Sequence, residues 1–374
     1  MNTIALLAGA RPNYMKIFPL WREIRDAWSE SFAPILIHTG QHYDPLMNDV
    51  FFQDLGMPRP DHFLGIGSDT HGRQTGRTMI ALEELFEHSR PDLLVVVGDV
   101  NSTLAGALVA VKMGIPVAHV EAGLRSGDRT MPEEINRLAT DAIADILLTP
   151  SRDANQNLLQ EGVSSGKIHF VGNVMIDSLV QLLPQARNRG ILQALGVEPQ
   201  NYVAVTLHRP SNVDQPDTLL RIMKSLEEVA ENHPVVFPLH PRTRKMLDSA
   251  GYRPSTSALR LCEPLGYLDF LCLESQAALV ITDSGGIQEE TSFLGIPCLT
   301  LRPNTERPIT LTQGTNRLLD PVRENLAMAA GTAFLTRQPP PDIEYWEGFA
   351  AKRIIAVLAN HLRSLSANRH SACP

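Results

Sequence analysis

The chain predicts an α/β fold: two similar halves of parallel sheet and helix that face each other across a cleft. Short β-branched runs alternate with helical stretches along its length, the pattern of parallel sheets covered by helices. The alternation restarts near Val171-Gly172-Asn173, and 374 residues exceed one comfortable core. Strands in both halves end in tight turns, most clearly Gly9-Ala10 and Asp283-Ser284-Gly285-Gly286, where open parallel sheets place their ligands.

In the first half, strands are expected at 4–8, 35–39, 93–97, 117–120 and 146–149. Helices at 17–28, 73–87 and 103–112 fall between them. The second half repeats the grammar, with strands at 202–206, 235–238, 259–262, 278–282 and 297–301. The proline run before Asp342 reads as a stiff connector, a helix is expected at 346–359, and the polar tail from Ser364 reads as disordered. This gives domains at 1–172, carrying the candidate acids, and 173–355, carrying a nucleotide site. A last helix and tail take up 356–374.

Composition narrows the class. A net charge of -8 argues against a nucleic-acid binder driven by bulk charge, while leaving room for a local phosphate pocket. The start MNTIALLAGARPNYMK lacks the flanks of a signal peptide and reads as a buried strand entering a loop. No stretch of 18 uncharged apolar residues appears, so no membrane span is expected. Cys262, Cys272, Cys298 and Cys373 show no metal-site or CxxC spacing, and a reducing, cytoplasmic setting is the simplest reading.

The densest chemistry lies between Gly98 and Arg137. Asp99 and Glu121 each follow a strand end, an arrangement that sets two carboxylates across one pocket with different protonation. Glu133 and Glu134 follow Pro132 at an expected helix start. Ordinary roles compete at each: a helix cap for Asp99, a salt bridge to Arg125 for Glu121. Arg11 and Lys16 stand near a helix start, where amides favour an anion, and a diphosphate fits there. In DSGGIQEE, Ser284 and the following amides can donate to phosphate, and Glu290 can accept from ribose hydroxyls.

His208 and His240 follow strands and suit proton transfer or phosphate binding, and His38 and His42 flank Thr39-Gly40-Gln41. Their spacing assembles no metal site. The GxSxG string at Gly162–Gly166 is rejected as a nucleophile elbow, because a helical run precedes it and a strand follows. Neither a dinucleotide fingerprint nor an ATP-binding GxxxxGK[ST] loop is present.

The ordered strings GARPNYMK, TGQHYD, GDVNSTLAG, HVEAGLRSGD, MPEEINR, TLHRPSNVD, HPRT, DSGGIQEE and NTERPIT followed by GTN resemble the non-hydrolysing UDP-N-acetylglucosamine 2-epimerase family from Gly9 to about Arg317. The resemblance implies two Rossmann-like domains facing across a cleft in a glycosyltransferase-B-like arrangement, with the active site between them and a C-terminal helix and tail, 356–374, returning to the first domain. It also implies a dimer, and exchange of UDP-GlcNAc with UDP-ManNAc without a redox cofactor. Family members eliminate UDP across C1 and C2 to a 2-acetamidoglucal and then add it back. On that resemblance Asp99, Glu121 and Glu133 match the catalytic acids, with no donor or acceptor assigned, and Lys16 and His208 match further catalytic or diphosphate positions. Arg11, His240, Ser284, Gly285 and Gly286 fit the phosphate side, Glu290 the ribose, and Gln41, His42, Gln74 and Arg137 the pocket. Asn13 after RP, and HRPSN, depart from a common family form and leave subgroup and effector behaviour open. A hydrolysing relative that releases ManNAc and UDP, a glycosyltransferase and a silent nucleotide-sugar sensor are the alternatives.

Overall fold

Apolar runs such as Leu93-Leu94-Val95-Val96-Val97 have no polar face to offer water, so they are buried on both sides as parallel strands. The computed structural model describes residues 1–40, 52, 54–335 and 339–371. These form two units, Met1–Ser178 with the segment from Glu344 onward, and Leu179–Ile343. Each is an α/β layer with its own core, and the expected fold class of two Rossmann-like strand sets is what the chain adopts.

In the first unit the strands are β1 (Asn2–Ala8), β2 (Phe32–His38), β3 (His62–Phe63), β4 (Leu93–Val97), β5 (Val117–Val120), β6 (Ile146–Thr149) and β7 (Ile168–Phe170). They pair in parallel in the order β3-β2-β1-β4-β5-β6-β7. Sheet growth reverses between β1 and β4, which opens a crevice at their carboxyl ends. The second unit holds β8 (Val203–Thr206), β9 (Val235–Pro238), β10 (Leu259–Cys262), β11 (Leu279–Thr282), β12 (Cys298–Thr300) and β13 (Asn316–Leu318). Their order is β10-β9-β8-β11-β12-β13, and the reversal lies between β8 and β11.

Five strands, β4, β5, β6, β9 and β10, have the bounds the sequence predicts. β3 and β13 were not expected, because two or three residues carry no period; pairing to β2 and β12 makes them strands. The first helix, Arg11–Ala27, starts earlier than the apolar pattern suggests. Pro12 sets the opening dihedral, and the Asn13 Oδ1 accepts from the Gly9 and Ala10 amides at 3.0 and 2.9 Å. The final helix runs Ala350–Ser371, so it starts later than expected and takes in most of the tail read as disordered. Its first amides, on Ala350 and Ala351, donate to buried Asp177 from the helix Val174–Arg187. A side chain distant in sequence supplies the cap that no local residue announces.

Among the described residues, no helix is long and apolar enough to cross a membrane.

Candidate functional site

At the carboxyl end of β5 the chain turns sharply. Glu121 has φ 69, a left-handed backbone that glycine adopts freely and a glutamate does not. The amides of Glu121 and Ala122 both donate to the Leu148 carbonyl, which holds the turn. Strain of this kind, on a non-glycine residue at a strand end, is characteristic of functional positions. The Glu121 carboxylate is buried and meets the Lys16 ammonium at 2.5 Å. Lys16 reaches it from the first helix, over Gly98 (φ 65), whose hypothetical Cβ would lie 2.7 Å from Nζ. Glycine at 98 therefore clears the path of the lysine. The sequence-level alternative for Glu121, a bridge to Arg125, is not what forms: Arg125 pairs with Asp141 and Glu161.

Beside this pair, Asp99 follows β4 and is partly exposed. Its carboxylate forms an ion pair with buried Arg137 of the helix Pro132–Ile143, and its carbonyl accepts from Asn136 at 2.9 Å. Arg137 is gripped on its other side by Glu134, at 2.9 Å from Nε and 2.6 Å from Nη2. Burial alone would raise the Glu134 carboxyl, but the Ser126 amide, Arg137 and the Gly127 amide hold it below its ordinary value. Glu134 thus buttresses Arg137 as an anion. Its neighbour Glu133 is half-buried and has no hydrogen-bond or ion-pair partner among the described residues. Two adjacent glutamates have separated into a braced one and an available one.

Gln74 stands one layer further out: its amide donates to the Gly67 carbonyl and its oxygen accepts from Asn101, which also accepts from Asn136. Arg11 is the first residue of its helix. Gln41 and His42 lie outside the described residues. His38 is buried beneath Tyr14, and burial pushes its imidazole down to about 4, so it is neutral near pH 7.

Sequence reasoning passed over His119 and Asp141. His119 is wholly buried on β5, two residues before Glu121, with Nδ1 2.6 Å from Asp141 and Nε2 2.8 Å from the Gly98 carbonyl. It ties the β4 and β5 ends together behind the two acids. The signal was a polar residue within an apolar strand run, which its proximity to Glu121 in HVEAG obscured.

In the second unit, Asp283 ends β11 across the reversal from His208 at the end of β8. Its buried carboxylate accepts from the His208 and Arg209 amides and from Asn212, and lies 3.1 Å from the His208 Nδ1. Burial would raise Asp283, but His208, the Arg209 amide and Asn212 hold it below the usual range. A fixed anion thereby orients the His208 ring. His240, at the end of the β9 segment, caps the helix Pro241–Ser249, and its ring centroid lies 6.2 Å from that of His208. Ser284 precedes the helix Gly285–Leu294, and its hydroxyl makes no cap and has no partner among the described residues. Gly285 and Gly286 open that helix, whose free amides favour an anion. A Cβ at Gly285 would lie 2.5 Å from the Arg307 Nη1 and 2.6 Å from the Glu306 Oε1, so glycine there leaves room for those two side-chain ends.

Glu290, one turn on, is buried and accepts from the Tyr267 hydroxyl at 2.8 Å. Thus Asp99, Glu121, Lys16, Arg137 and Gln74 are grouped in one unit, with Glu133 nearby on the Pro132–Ile143 helix, and His208, His240, Ser284, Gly285, Gly286 and Glu290 in the other. Among the described residues, no group of three His, Cys, Asp or Glu side chains is placed to hold a metal ion.

Doubly wound units with carboxylates and cations at their strand ends define an α/β enzyme of the nucleotide-binding kind. The chain belongs to the UDP-N-acetylglucosamine 2-epimerase family, whose sequence profile matches residues 26–359. It is 43% identical to a UDP-N-acetylglucosamine 2-epimerase homologue of Methanococcus maripaludis, over 96% of this chain and 99% of that one. It is 40% identical to the UDP-2,3-diacetamido-2,3-dideoxy-D-glucuronate 2-epimerase of Pseudomonas aeruginosa, over 95% of this chain and 99% of the relative. The crystal structure of Methanocaldococcus jannaschii UDP-GlcNAc 2-epimerase in complex with UDP-GlcNAc and UDP is similar at 41% identity, with a TM-score of 0.88 over 96% of this chain and 99% of that one.

Proposed function

We propose that the chain interconverts UDP-GlcNAc and UDP-ManNAc with UDP retained. The observation that supports this most is the Lys16–Glu121 pair on a left-handed backbone, next to an Asp99 held by Arg137. A carboxylate of the Asp99, Glu121 and Glu133 set takes the C2 proton while the C1–O bond to the diphosphate breaks. The C–H electron pair becomes the C1=C2 bond of a 2-acetamidoglucal, and UDP departs with the C–O pair. Proton delivery to the other face of C2 and attack of the diphosphate oxygen on C1 give the epimer. No electrons are gained or lost overall, so the reaction calls for no redox cofactor. Lys16, Arg11, His208, His240, Ser284, Gly285 and Gly286 serve the departing diphosphate, where preorganised donors stabilise developing charge. Glu290 serves the ribose, and Gln41, His42, Gln74 and Arg137 shape the pocket. The resemblance extends the proposal to a homodimer, which light scattering of the purified chain tests, and the sparse cysteines fit a reducing, cytoplasmic setting.

A second substrate has a specific observation behind it. The Pseudomonas relative, at 40% identity, is named for a diacetamido glucuronate, and inversion at C2 beside an acetamido group is the same chemistry. Incubation with UDP-GlcNAc in deuterated water, followed by proton and phosphorus NMR, tests the proposal. UDP-ManNAc carrying deuterium at C2 is expected. Free ManNAc and UDP select the hydrolysing reaction, and turnover only of the UDP-diacetamido glucuronate selects the second substrate.

A further inference from the structure

The two turns that carry Asp99 and Glu121 are joined by one buried pair of side chains. His119, wholly buried on β5, has Nε2 2.8 Å from the Gly98 carbonyl and Nδ1 2.6 Å from the Asp141 carboxylate. The second Asp141 oxygen accepts from the Gly123 amide at 3.0 Å and lies 2.7 Å from the Arg125 Nη1. Gly98 directly precedes Asp99, and Gly123 stands two residues after Glu121. Asp141 belongs to the helix Pro132–Ile143, which also sends Asn136 to the Asp99 carbonyl and Arg137 to its carboxylate. That one helix therefore references both acid-bearing turns.

The hydrogen positions follow from the partners. A carbonyl has no hydrogen to give, so the contact with Gly98 requires a hydrogen on Nε2. Asp141 turns one oxygen to the Arg125 cation and the Gly123 amide, which favours the carboxylate, and a carboxylate requires a hydrogen on Nδ1 as well. Both ring nitrogens donate, and rotation of the ring would lose both bonds. The carbonyl that His119 grips is part of the peptide bond to Asp99, so the ring fixes the plane from which Asp99 leaves β4. Gly98 lies in the left-handed region at φ 65, as Glu121 does at φ 69. A glycine has several accessible backbone states, and the His119 donor selects one of them. Apolar side chains could fill the same space without the cost of burying a charged pair, but they could not orient a peptide.

We infer that His119 is a positioning residue for the proposed reaction: its Nε2 hydrogen bond to Gly98, anchored from behind by Asp141, sets the Asp99 carboxyl at its working separation from Glu121. The inference rests on the roles proposed for those two acids at C2. A shift of the Gly98–Asp99 peptide moves an acid relative to the sugar carbon it serves, and a misplacement of about 1 Å is enough to cost about a hundredfold in rate. The nucleotide's contacts with the second unit are left unchanged, so the loss falls on kcat.

Two amide replacements of different reach test this in the whole chain. Glutamine at 119 carries an N–H as far out as Nε2 and can still donate to Gly98; asparagine, one methylene shorter, reaches Asp141 only. Turnover of UDP-GlcNAc, UDP affinity by titration calorimetry and folded fraction by urea unfolding are measured for His119→Asn, His119→Gln and Asp99→Asn. The expected result is a tenfold or greater fall in kcat for His119→Asn, with KM and the UDP dissociation constant within threefold of the parent, and kcat restored to within threefold in His119→Gln. Equal kcat values in the two His119 variants, or losses that follow the folded fraction, overturn the inference. If Asp99→Asn loses turnover while His119→Asn keeps it, only the role of His119 fails. If Asp99→Asn turns over as the parent does, the role of that acid fails, and this inference with it. In the parent labelled with 15N-histidine, one ring is expected to show exchange-protected N–H protons on both nitrogens, and a chain with no such ring overturns the inference without any variant.

Discussion

At the scale of the residue, Lys16 and Glu121 illustrate why a buried ion pair is informative about function and weak as a source of stability. Both side chains are nearly excluded from water, at 10% and 4% exposure, and their mutual attraction mainly offsets lost hydration. Removing one partner leaves an uncompensated charge. Lys16→Met and Glu121→Gln are each expected to destabilise the chain by about 3–5 kcal/mol, and the double variant by much less than their sum. A double-mutant cycle by urea unfolding measures this, and additive losses would show that the two groups do not act as a pair. Turnover is expected to stay low in the double variant even where stability returns, because the strained position has lost its acid.

At the scale of the element, the final helix depends on one distant carboxyl. Asp177 is raised from 3.8 to about 6 by burial, with the Ala351 and Ala350 amides pulling it back. The folded chain therefore retains a proton that the unfolded chain has released. This contribution is complete below pH 3.8 and is lost as pH rises through about 6, on the order of 3 kcal/mol in all. Asp177→Asn is expected to flatten that part of the stability profile, with the gap between variant and parent changing between pH 4 and pH 7 and constant above. Parallel denaturation curves across that range would show that Asp177 does not titrate in the window. Element by element, apolar runs were legible because burial on both faces leaves a strand no choice of composition. The start of the last helix was not, since its cap is a side chain from the Val174–Arg187 helix.

At the scale of the whole molecule, two units with separate cores carry different parts of the proposed chemistry. UDP lacks the sugar carbon at which the acids act, so apart from the diphosphate contacts proposed for Lys16 and Arg11 its expected contacts lie with the second unit. Hydrogen exchange with and without UDP should show slowed exchange at the turns containing His208-Arg209 and Ser284-Gly285, with stabilisation of about 2.7 kcal/mol at a hundredfold excess over Kd. Protection confined to the turn around Glu121 would overturn the division of roles proposed here.

The sequence by itself determined the alternation of strand and helix, the doubling of that pattern and the turns where chemistry is concentrated. Each depends on local composition: apolar runs, glycine at tight turns, charge beside strand ends. It also carried the family resemblance, because ordered strings keep their spacing in a linear reading. Only the tertiary structure decided which charge meets which. Glu121 pairs with Lys16 across 105 positions rather than with nearby Arg125, Glu134 is braced while Glu133 is left available, and His119 locks two strand ends. Pairings of that kind are set by strand order and by the exclusion of water. Neither is written in the spacing of residues along the chain.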